Sequence, residues 1–403
     1  MTAAERLAST GFDINHLPYG SFSTSESGPK LGVRLGDHVL GVAALLGHSD
    51  VAPEDVAVTD DANLDTLLTR DRAAWDRVRA GIVRVLTDPD LAETVVAEAV
   101  PLSEASLHLP FTVADYVDFY GNEFHASNVG RIFRPGQPPL TPNWKHLPIG
   151  YHGRAGTIVP SGTEIARPRG LRPEPEGPPT FGPSRRLDIE VEMGFVLGST
   201  VPQGEVALTD ADDHIFGLTL TNDWSARDIQ AFEYVPLGPF LAKSFATSIS
   251  VWVTPLVALD RARTTPPPRD TPLAPYLDDS ATPAWAFDIE IDVVLNGEVV
   301  STAPYATTYW TAAQMLAHMT VNGAGLRPGD FFASGTISGP DANQRGSFLE
   351  ITWGGSEPLS LADGTEIAFL RDNDEVTLRA RAAGANNTTL TLGETIGRIL
   401  PSR

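Results

Sequence analysis

The segment LDIEVEMGF, residues 187 to 195, constrains the fold most strongly because carboxylates and apolar residues alternate along it. Side chains of a β-strand alternate between its two faces, so Asp188, Glu190 and Glu192 would share one face and the apolar residues the other. Neighbouring carboxylates on one face are about 7 Å apart, where they repel each other unless a cation or water screens them. The pattern is typical both of a strand that holds a hard metal ion and of a half-buried strand with a solvated edge.

Charge and residue content exclude several classes of function. A formal net charge of -22 argues against nucleic-acid binding, which depends on Lys and Arg neutralising phosphates. The absence of cysteine excludes disulfides, thiolate metal sites and a cysteine nucleophile, so any metal must be bound by oxygen or imidazole. The first residues lack a basic segment followed by an apolar core, and no apolar run approaches the roughly 20 residues that span a bilayer. The sequence therefore predicts a cytoplasmic protein with no membrane partner.

The first hundred residues differ in pattern from the rest of the 403-residue chain. Short extended pieces at residues 30 to 45 are punctuated by turns, as in a small β-barrel, and helical stretches follow at residues 73 to 86 and 91 to 100. The pattern predicts a separate N-terminal domain over residues 1–110 and a larger C-terminal domain over residues 111–403.

Two Pro-rich segments interrupt the C-terminal part, at residues 167 to 184 and 264 to 283. Neither is expected to form a central strand or a helix interior, because Pro lacks the backbone donor and fixes φ. We expect long surface connections there that serve as lids or dimer arms. Strand-like segments dominate the remainder, apart from a helix predicted over residues 311 to 321, where Thr311 and Gln314 form a capping box.

The segment DYVDFYGNEFHASNVG, residues 115 to 130, combines a carboxylate with an imidazole. An extended start puts Asp118 and Tyr120 on one face, and Asn122 can then cap a short helix that carries His125. Asp118 and His125 would therefore lie near each other. A surface aspartate and a hydrogen-bonded helix histidine would give the same pattern.

The segment at residues 221 to 247 is dense in polar side chains within an apolar context. If its middle is helical, one stripe of the helix carries Asp223, Arg227, Gln230 and Tyr234. A solvated amphipathic face explains this spacing as well as a functional site does. Lys243 follows in the apolar context FLAKSF, and a buried lysine needs a partner or a substrate anion.

Three further segments have the composition of binding loops or orienting elements. Residues 143 to 163 combine Trp, Tyr, His and Arg with glycines that let the backbone approach a ligand. Residues 332 to 340, FASGTISGP, form a turn whose hydroxyls and amides can hold an anion. Residues 346 to 353, GSFLEITW, follow a strand pattern that leaves Glu350 facing either solvent or a histidine that it orients.

The motifs of several common enzyme classes are missing from the sequence. It contains no HExxH metalloprotease motif, no GxSxG elbow and no Walker or Rossmann glycine fingerprint after a strand. Oxygen-ligand metal chemistry combined with a base is the enzymatic hypothesis that survives. The competing hypothesis is a non-enzymatic β module in which calcium bound to the acidic strand is purely structural.

Several long blocks, taken in order, resemble the fumarylacetoacetate hydrolase family. In chain order the blocks are LPYGSFST, DFYGNEFHASNVG, NWKHLPIGYHGRA, LDIEVEM, NDWSARDIQAFEYVPLGPFLAKSF and LRPGDFFASGTISGP. They extend over almost the whole chain, and the two Pro-rich segments and the last twenty or so residues match weakly. The resemblance implies an α+β, mainly β fold, with a small SH3-like N-terminal barrel and a C-terminal mixed β-sandwich roll that forms a homodimer.

The resemblance also implies a divalent-cation site. The carboxylate ligands at matching positions are Asp118, Glu190, Glu192 and Asp223. The cofactor would be Ca²⁺ or Mg²⁺, since oxygen-only coordination suits a hard cation. Thr247 and Lys243 match a second, magnesium-type position, where the ammonium group cannot itself be a ligand.

His125 matches the catalytic base of the family, and Glu350 matches the residue that orients and polarises this base. A neutral imidazole, with a reference pKa of roughly 6.5, can take a proton from water near neutral pH. Arg227, Gln230 and Lys243 would donate hydrogen bonds to developing negative charge. The positions that match substrate-binding residues are Tyr120, Arg134, Tyr151, Gln230, Tyr234 and Thr336.

The activity implied by the resemblance is hydrolysis of a carbon–carbon bond in a small-molecule 1,3-diketone. The substrate would be 4-fumarylacetoacetate, which is cleaved to fumarate and acetoacetate in the last step of tyrosine and phenylalanine breakdown. Broader relatives act as acylpyruvate hydrolases or oxaloacetate decarboxylases, which is the alternative for this chain. The pairing of His125 with Glu350 and the two-domain layout favour fumarylacetoacetate.

Overall fold

The structure is a computed structural model that describes residues 1–282 and 284–403, so the end of the second Pro-rich segment, Pro283, lies outside the described residues. Within the described part, none of the helices is both long and apolar enough to cross a membrane.

In the first 110 residues the helices and strands are α1 (Ala3–Leu7), β1 (Tyr19–Thr24), β2 (Ser27–Leu35), β3 (His38–Gly41), α2 (Val42–Gly47), α3 (Pro53–Ala57), α4 (Asp65–Leu68), α5 (Arg72–Thr87), α6 (Ala92–Glu98), β4 (Val100–Pro101) and β5 (Ser106–His108).

Strands predominate in the rest of the chain. The first half of this part consists of β6 (Asp115–Phe119), α7 (Glu123–Phe133), β7 (Gly150–His152), β8 (Ile158–Pro160), β9 (Ile165–Ala166), β10 (Arg169–Arg172), β11 (Thr180–Pro183), β12 (Leu187–Asp188), β13 (Val191–Leu197), α8 (Ala211–His214), β14 (Ile215–Asp223), β15 (Ser225–Ala226), α9 (Arg227–Glu233), β16 (Thr247–Ile249) and β17 (Trp252–Pro255). The second half consists of β18 (Arg263–Thr264), β19 (Ala286–Phe287), β20 (Ile289–Leu295), β21 (Glu298–Pro304), α10 (Ala312–Thr320), β22 (Asp330–Ala333), α11 (Phe348–Ile351), β23 (Leu359–Ser360), β24 (Glu366–Ile367), β25 (Glu375–Ala383) and β26 (Thr389–Leu400).

The largest sheet joins strands from both ends of the sequence. Its hydrogen-bonded order is β4-β3-β2-β1-β17-β14-β13-β22-β6-β7, with β5, β8 and β16 attached off this path. Strand β1 pairs antiparallel with β17 through Tyr19 opposite Val253, so the N-terminal strands continue into the sheet of the later ones. Among the described residues these N-terminal pairings form an open series and do not close into a barrel.

A second sheet, in the order β21-β20-β25-β26-β9, lies across an apolar core from the first. The shared core contains Phe195 of β13, Ile291 of β20 and Leu378 of β25, all fully buried. Most strand pairs are antiparallel, whereas three pairs are parallel, namely β6 with β22, β8 with β16 and β9 with β26. The expectation of a strand-rich fold with mixed sheets is thus confirmed, and burial of apolar side chains between the two layers is its main source of stability.

Several local predictions are confirmed. Helix α5 covers the first stretch predicted as helical in the N-terminal part, and α6 forms most of the second, whose last residue, Val100, lies in β4. Helix α10 begins after Thr311, whose side chain accepts a hydrogen bond from the Gln314 amide in the predicted capping box. The first Pro-rich segment contributes only the isolated hairpin of β10 with β11, which lies outside both large sheets.

Residues 187 to 195 do not form the single continuous strand that the alternation predicts, and the alternative of a solvated edge is excluded. Strand β12 ends at Asp188, strand β13 begins at Val191, and every residue of the stretch is buried. The reason is tertiary: β13 lies between β14 and β22, so neither of its edges is free. The alternating carboxylates are consequently interior groups.

Two further assignments of secondary structure are wrong. Asp223 is the last residue of β14, and helix α9 begins only at Arg227, so Asp223 does not belong to a helical stripe. The GSFLEITW segment is not a strand, because Phe348 to Ile351 form the short helix α11. A distant carboxylate, Asp188, accepts the amides of Phe348 and Leu349 and thereby stabilises a helix that the local pattern does not reveal.

Candidate metal and catalytic centre

Four carboxylates converge at one end of the main sheet. Asp118 lies near the end of β6, Asp223 ends β14, Glu192 lies near the start of β13, and Glu190 lies in the link that precedes β13. Because β13 runs antiparallel to β14, the start of one strand is adjacent to the end of the other. One oxygen from each carboxylate lies within 4.8 Å of the others. The four side chains predicted as metal ligands are therefore brought together.

This cluster is buried and short of hydrogen-bond donors. None of the four residues is more than 5% exposed. Among the described residues, no donor reaches either oxygen of Glu192 or Oδ1 of Asp118. Burial and then repulsion from Asp223 raise the pKa of Asp118 well above its ordinary value, and burial with repulsion from Asp118 does the same for the pKa of Glu192. Buried, unpartnered carboxylate oxygens fit a hard divalent cation, which would supply the missing charge and contacts.

Two cationic side chains contact one side of the cluster. The Lys243 ammonium donates to Glu190 and Asp223, and Arg227 Nη1 donates to Glu190 Oε1 at 2.7 Å. Burial opposes ionisation of Glu190, but Lys243 and then Arg227 hold the pKa of Glu190 below its ordinary value. Thr247 Oγ1 donates to Asp223 Oδ1 at 2.8 Å. Lys243 and Thr247 thus both contact Asp223, and Lys243 acts as a counter-ion.

His125 lies between this cluster and Glu350. Asn122 caps helix α7, as predicted, by accepting the His125 amide at 3.0 Å, which fixes the backbone that carries the imidazole. His125 Nδ1 lies 2.6 Å from Glu350 Oε2, and Nε2 lies 4.0 Å from Glu190 Oε1. Because a carboxylate only accepts, Nδ1 carries the proton of the neutral ring. The lone pair of Nε2 therefore faces the carboxylate cluster.

Glu350 has polar partners that sequence reasoning missed. Asn128 Nδ2 donates to Glu350 Oε1 at 2.9 Å, and the hydroxyls of Ser338 and Ser347 donate to Oε2 at 3.0 and 2.9 Å. Burial opposes ionisation of Glu350, but His125 and these donors lower the pKa of Glu350 below its ordinary value. One of these partners, Asn128, could have been predicted from the sequence, because it follows His125 by three positions on the same helix.

A cavity of about 380 Å³ opens onto this centre. All six residues predicted to bind substrate line it, namely Tyr120, Arg134, Tyr151, Gln230, Tyr234 and Thr336. Three of the predicted carboxylate ligands also line it: Asp118, Glu190 and Glu192. The remaining predicted site residues in its wall are His125, Arg227 and Lys243. Asp223 and Thr247 line an adjoining cavity of about 230 Å³, which shares Lys243 with the first. The predicted site residues thus line two adjoining cavities, while Glu350 lies behind His125.

Arg227 and Gln230 leave donors unused beside the cavity. Arg227 Nη1 donates to Gln230 Oε1 at 3.1 Å, so the Gln230 amide nitrogen is left for other partners. Arg227 Nη2 is buried and reaches no acceptor among the residues that the structure describes. Both residues line the cavity, where the Gln230 amide nitrogen can donate a hydrogen bond to an anion.

Thr336 is positioned by the turn that follows β22. Gly335 has a φ of +77°, and a Cβ at this position would lie 2.2 Å from the Phe119 carbonyl oxygen, so only glycine fits. Thr336 Oγ1 is buried and has no acceptor or donor within hydrogen-bond distance in the described part of the chain. The polar turn predicted at residues 332 to 340 therefore presents a free hydroxyl next to the cavity.

Solved structures share this fold at low sequence identity. A fumarylacetoacetate hydrolase from psychrophilic Exiguobacterium antarcticum aligns with a TM-score of 0.56 at 14% identity, and a maleylpyruvate hydrolase from Sphingobium with a TM-score of 0.54 at 17% identity. Each alignment covers 96% of this chain and 100% of the solved chain. At such identity the likeness supports the fold alone.

Sequence relatives match along nearly the full length. A fumarylacetoacetase of Rattus norvegicus and one of Arabidopsis thaliana are each 42% identical, and one of Homo sapiens is 41% identical. Each match covers 97% of this chain and 96% of the relative. The family model for the fumarylacetoacetase N-terminal region matches residues 15–110, and the model for the fumarylacetoacetate hydrolase C-terminal region matches residues 116–394. The chain belongs to the fumarylacetoacetate hydrolase family.

Proposed function

We propose that this enzyme hydrolyses 4-fumarylacetoacetate at a carbon–carbon bond and releases fumarate and acetoacetate. The observation that carries the proposal is the position of His125, with Nδ1 2.6 Å from Glu350 and Nε2 directed toward the buried carboxylates beside the cavity. A base, a candidate cation site and unused donors meet there, as hydrolysis of a diketone requires. The relatives named fumarylacetoacetase, which align over 97% of the chain, support the choice of substrate.

The candidate cation, Ca²⁺ or Mg²⁺, would be held by Asp118, Glu190, Glu192 and Asp223. It would supply Lewis-acid polarisation of the substrate. Thr247, whose hydroxyl contacts Asp223 at 2.8 Å, would belong to a second magnesium position.

The chain's own residues carry the proton transfers. His125 Nε2 removes a proton from water, and Glu350 stabilises the resulting imidazolium through Nδ1–H. The hydroxide attacks the carbonyl next to the fumaryl group, and the new oxyanion accepts hydrogen bonds from Arg227, Gln230 or Lys243. The carbon–carbon bond then breaks, and the electron pair leaves with the acetoacetate fragment. The imidazolium returns its proton to that fragment. The hydroxide from water is thus in the fumarate product, and the proton from water is in the acetoacetate product.

The two ends of the substrate carry carboxylates, which the cavity is equipped to bind. Arg134 and the hydroxyls of Tyr120, Tyr151, Tyr234 and Thr336 line its walls. The Arg134 guanidinium supplies positive charge for a carboxylate, while the hydroxyls fix its orientation. Oxaloacetate and acylpyruvates with a short acyl group are smaller, so they would not fill a cavity of about 380 Å³ as well.

For the assembly we propose an SH3-like N-terminal domain over residues 1–110, a catalytic domain with a β-sandwich roll over residues 111–403, and a homodimer. The division is supported by the two family models, which end and begin at residues 110 and 116. The antiparallel series β1, β2 and β3 supports a small β domain. Size-exclusion chromatography with light scattering tests the dimer.

The experiment for the activity is direct. Purified protein is incubated with fumarylacetoacetate and Mg²⁺ or Ca²⁺, and both products are quantified. We expect fumarate and acetoacetate in equal amounts, and none from His125→Asn. Acylpyruvate and oxaloacetate are assayed in parallel, and faster turnover of either supports the alternative activity. Fumarate formation no faster than in a protein-free blank contradicts the proposal.

A further inference from the structure

The Asp188 carboxylate is not part of the four-carboxylate cluster, and its oxygens are saturated with donors. Its Oδ1 accepts the amides of Ile189 at 2.8 Å and Phe348 at 2.7 Å. Its Oδ2 accepts Arg227 Nε at 2.7 Å and the Leu349 amide at 2.9 Å. Asp188 is 0% exposed, so no water competes for these oxygens. One buried carboxylate thus joins three separate segments.

The contact between Asp188 Oδ2 and Arg227 Nε fixes the orientation of Arg227. A guanidinium is planar, so holding Nε on Asp188 and Nη1 on Glu190 determines where Nη2 points. Nη2 is the donor that reaches no acceptor among the described residues, and Arg227 lines the cavity. Asp188 therefore determines the direction of the free donor.

The contacts of Asp188 with the amides of Phe348 and Leu349 fix the start of helix α11. Ser347 precedes the helix but provides no side-chain cap, so Asp188 accepts the amides at the first two helical positions instead. Glu350 is the third residue of this helix, and its carboxylate holds His125. Displacement of the helix start would move the carboxylate that orients the base.

We propose that Asp188 is a positioning residue that fixes Arg227 and Glu350 relative to each other, so that the oxyanion donor and the base that activates water serve the same carbonyl group. The proposal deepens the function proposed above and rests on it for the roles of Arg227 and His125. It assigns Asp188 no contact with substrate and no place among the metal ligands.

The test is Asp188→Asn, which keeps the shape of the side chain. The substitution places an NH₂ donor against another donor, either Arg227 Nε or a backbone N–H. The matched control is Asp55→Asn, because Asp55 is also buried and binds a guanidinium, that of Arg77 at 2.7 Å, but does not line the cavity. We expect kcat of Asp188→Asn to fall by about 10- to 100-fold, the range typical of groups that orient a functional ligand. KM and the affinity for Ca²⁺, measured by calorimetry, should change by less than about threefold.

A spectroscopic signal tests the same idea without turnover. A buried Nδ1–H donated to a carboxylate gives a downfield proton resonance, assigned to His125 by its loss in His125→Asn. We expect Asp188→Asn to shift or broaden this resonance and Asp55→Asn to leave it unchanged. If wild-type protein does not cleave fumarylacetoacetate, the proposed function fails, and this resonance still decides whether Asp188 positions Glu350.

A double-mutant cycle separates positioning from a general loss of stability. In a background of Arg227→Gln, the added loss of kcat from Asp188→Asn should be clearly smaller than in wild type. The reason is that Asp188 acts through Arg227 and through Glu350, and the effect through Arg227 is already removed in this background. Fully additive losses, unchanged kcat with an unchanged His125 resonance, or loss of Ca²⁺ affinity equal to that of Glu192→Gln would each overturn the proposal.

Discussion

His125 Nδ1 lies 2.6 Å from Oε2 of Glu350, although the two residues are 225 positions apart in the chain. The carboxylate is fully buried and accepts from Asn128, Ser338 and Ser347 as well. The lowered pKa of Glu350 keeps this carboxylate an acceptor for the Nδ1–H group, so that the lone pair of the neutral imidazole lies on Nε2. A fixed tautomer of this kind is what a general base requires.

Replacement of Glu350 by Gln should remove most of the activity. Gln cannot stabilise an imidazolium as a carboxylate does, and we expect kcat to fall by about 10²- to 10⁴-fold. Steady-state kinetics with fumarylacetoacetate measures the change. Glu357→Gln, an exposed position seven residues later, is the matched control and should retain full activity. Normal kcat in Glu350→Gln would contradict the role of this carboxylate.

Ca²⁺ or Mg²⁺ should stabilise the protein, and Glu192→Gln should remove the effect. Glu192 is buried without a hydrogen-bond partner among the described residues, so bound cation relieves its repulsion with Asp118. A cation at 100 times its dissociation constant adds about 2.7 kcal/mol to the free energy of unfolding. Thermal melts with and without EDTA measure this shift. A variant that is stabilised by the cation as strongly as wild type would show that Glu192 is not a ligand.

Replacement of Arg134 by Gln should weaken substrate binding with little effect on the chemical step. Arg134 lines the cavity, and its guanidinium donates to the Pro139 carbonyl at 3.1 Å rather than to the carboxylate cluster. Loss of a charged hydrogen bond of about 1.5–3 kcal/mol corresponds to an increase in KM of about 10- to 100-fold. Arg131→Gln, at an exposed position in the last turn of helix α7, which Arg134 directly follows, is the control. A fall in kcat with unchanged KM would assign Arg134 to the reacting centre instead.

Stability should fall with acid through the ionisation of His16. This buried imidazole bonds to the Gly11 carbonyl and to Thr254 of β17, and burial lowers the pKa of His16 to about 3. In the unfolded chain it titrates at about 6.5, so between these values the unfolded state holds a proton that the folded state does not. The free energy of unfolding should therefore decrease by up to about 1.4 kcal/mol per pH unit below pH 6.5 from this residue.

Urea unfolding at a series of pH values measures this dependence. His16→Asn should have a flatter profile between about pH 3 and 6.5. His146→Asn, an exposed site, should follow the wild-type profile. An unchanged slope in His16→Asn would show that other groups govern the acid sensitivity.

Local sequence patterns predicted the elements whose stabilising contacts are close in the chain. The Asn122 cap, the helix that carries His125 and the capping box of α10 all depend on partners three residues apart. The local pattern gave a wrong prediction at Asp223, which ends a strand but was assigned to a helix. It was also wrong at Glu350, which was assigned to a strand but lies in α11, a helix that depends on Asp188, 160 positions from Phe348. No local period encodes such a partner.

The sequence by itself determined the chemistry available to this protein: oxygen and imidazole ligands, no thiol, an excess of carboxylates and a histidine on a capped helix. The family resemblance selected Glu190 and Glu192 and left Asp188 aside, although all three occupy alternate positions. Only the tertiary structure decided their separate environments. Sheet register places Glu190 and Glu192 with Asp118 and Asp223, whereas Asp188 meets Arg227 and the start of α11. The physical reason is that a buried carboxylate is defined by the charges and donors around it, and the packing of distant strands supplies these.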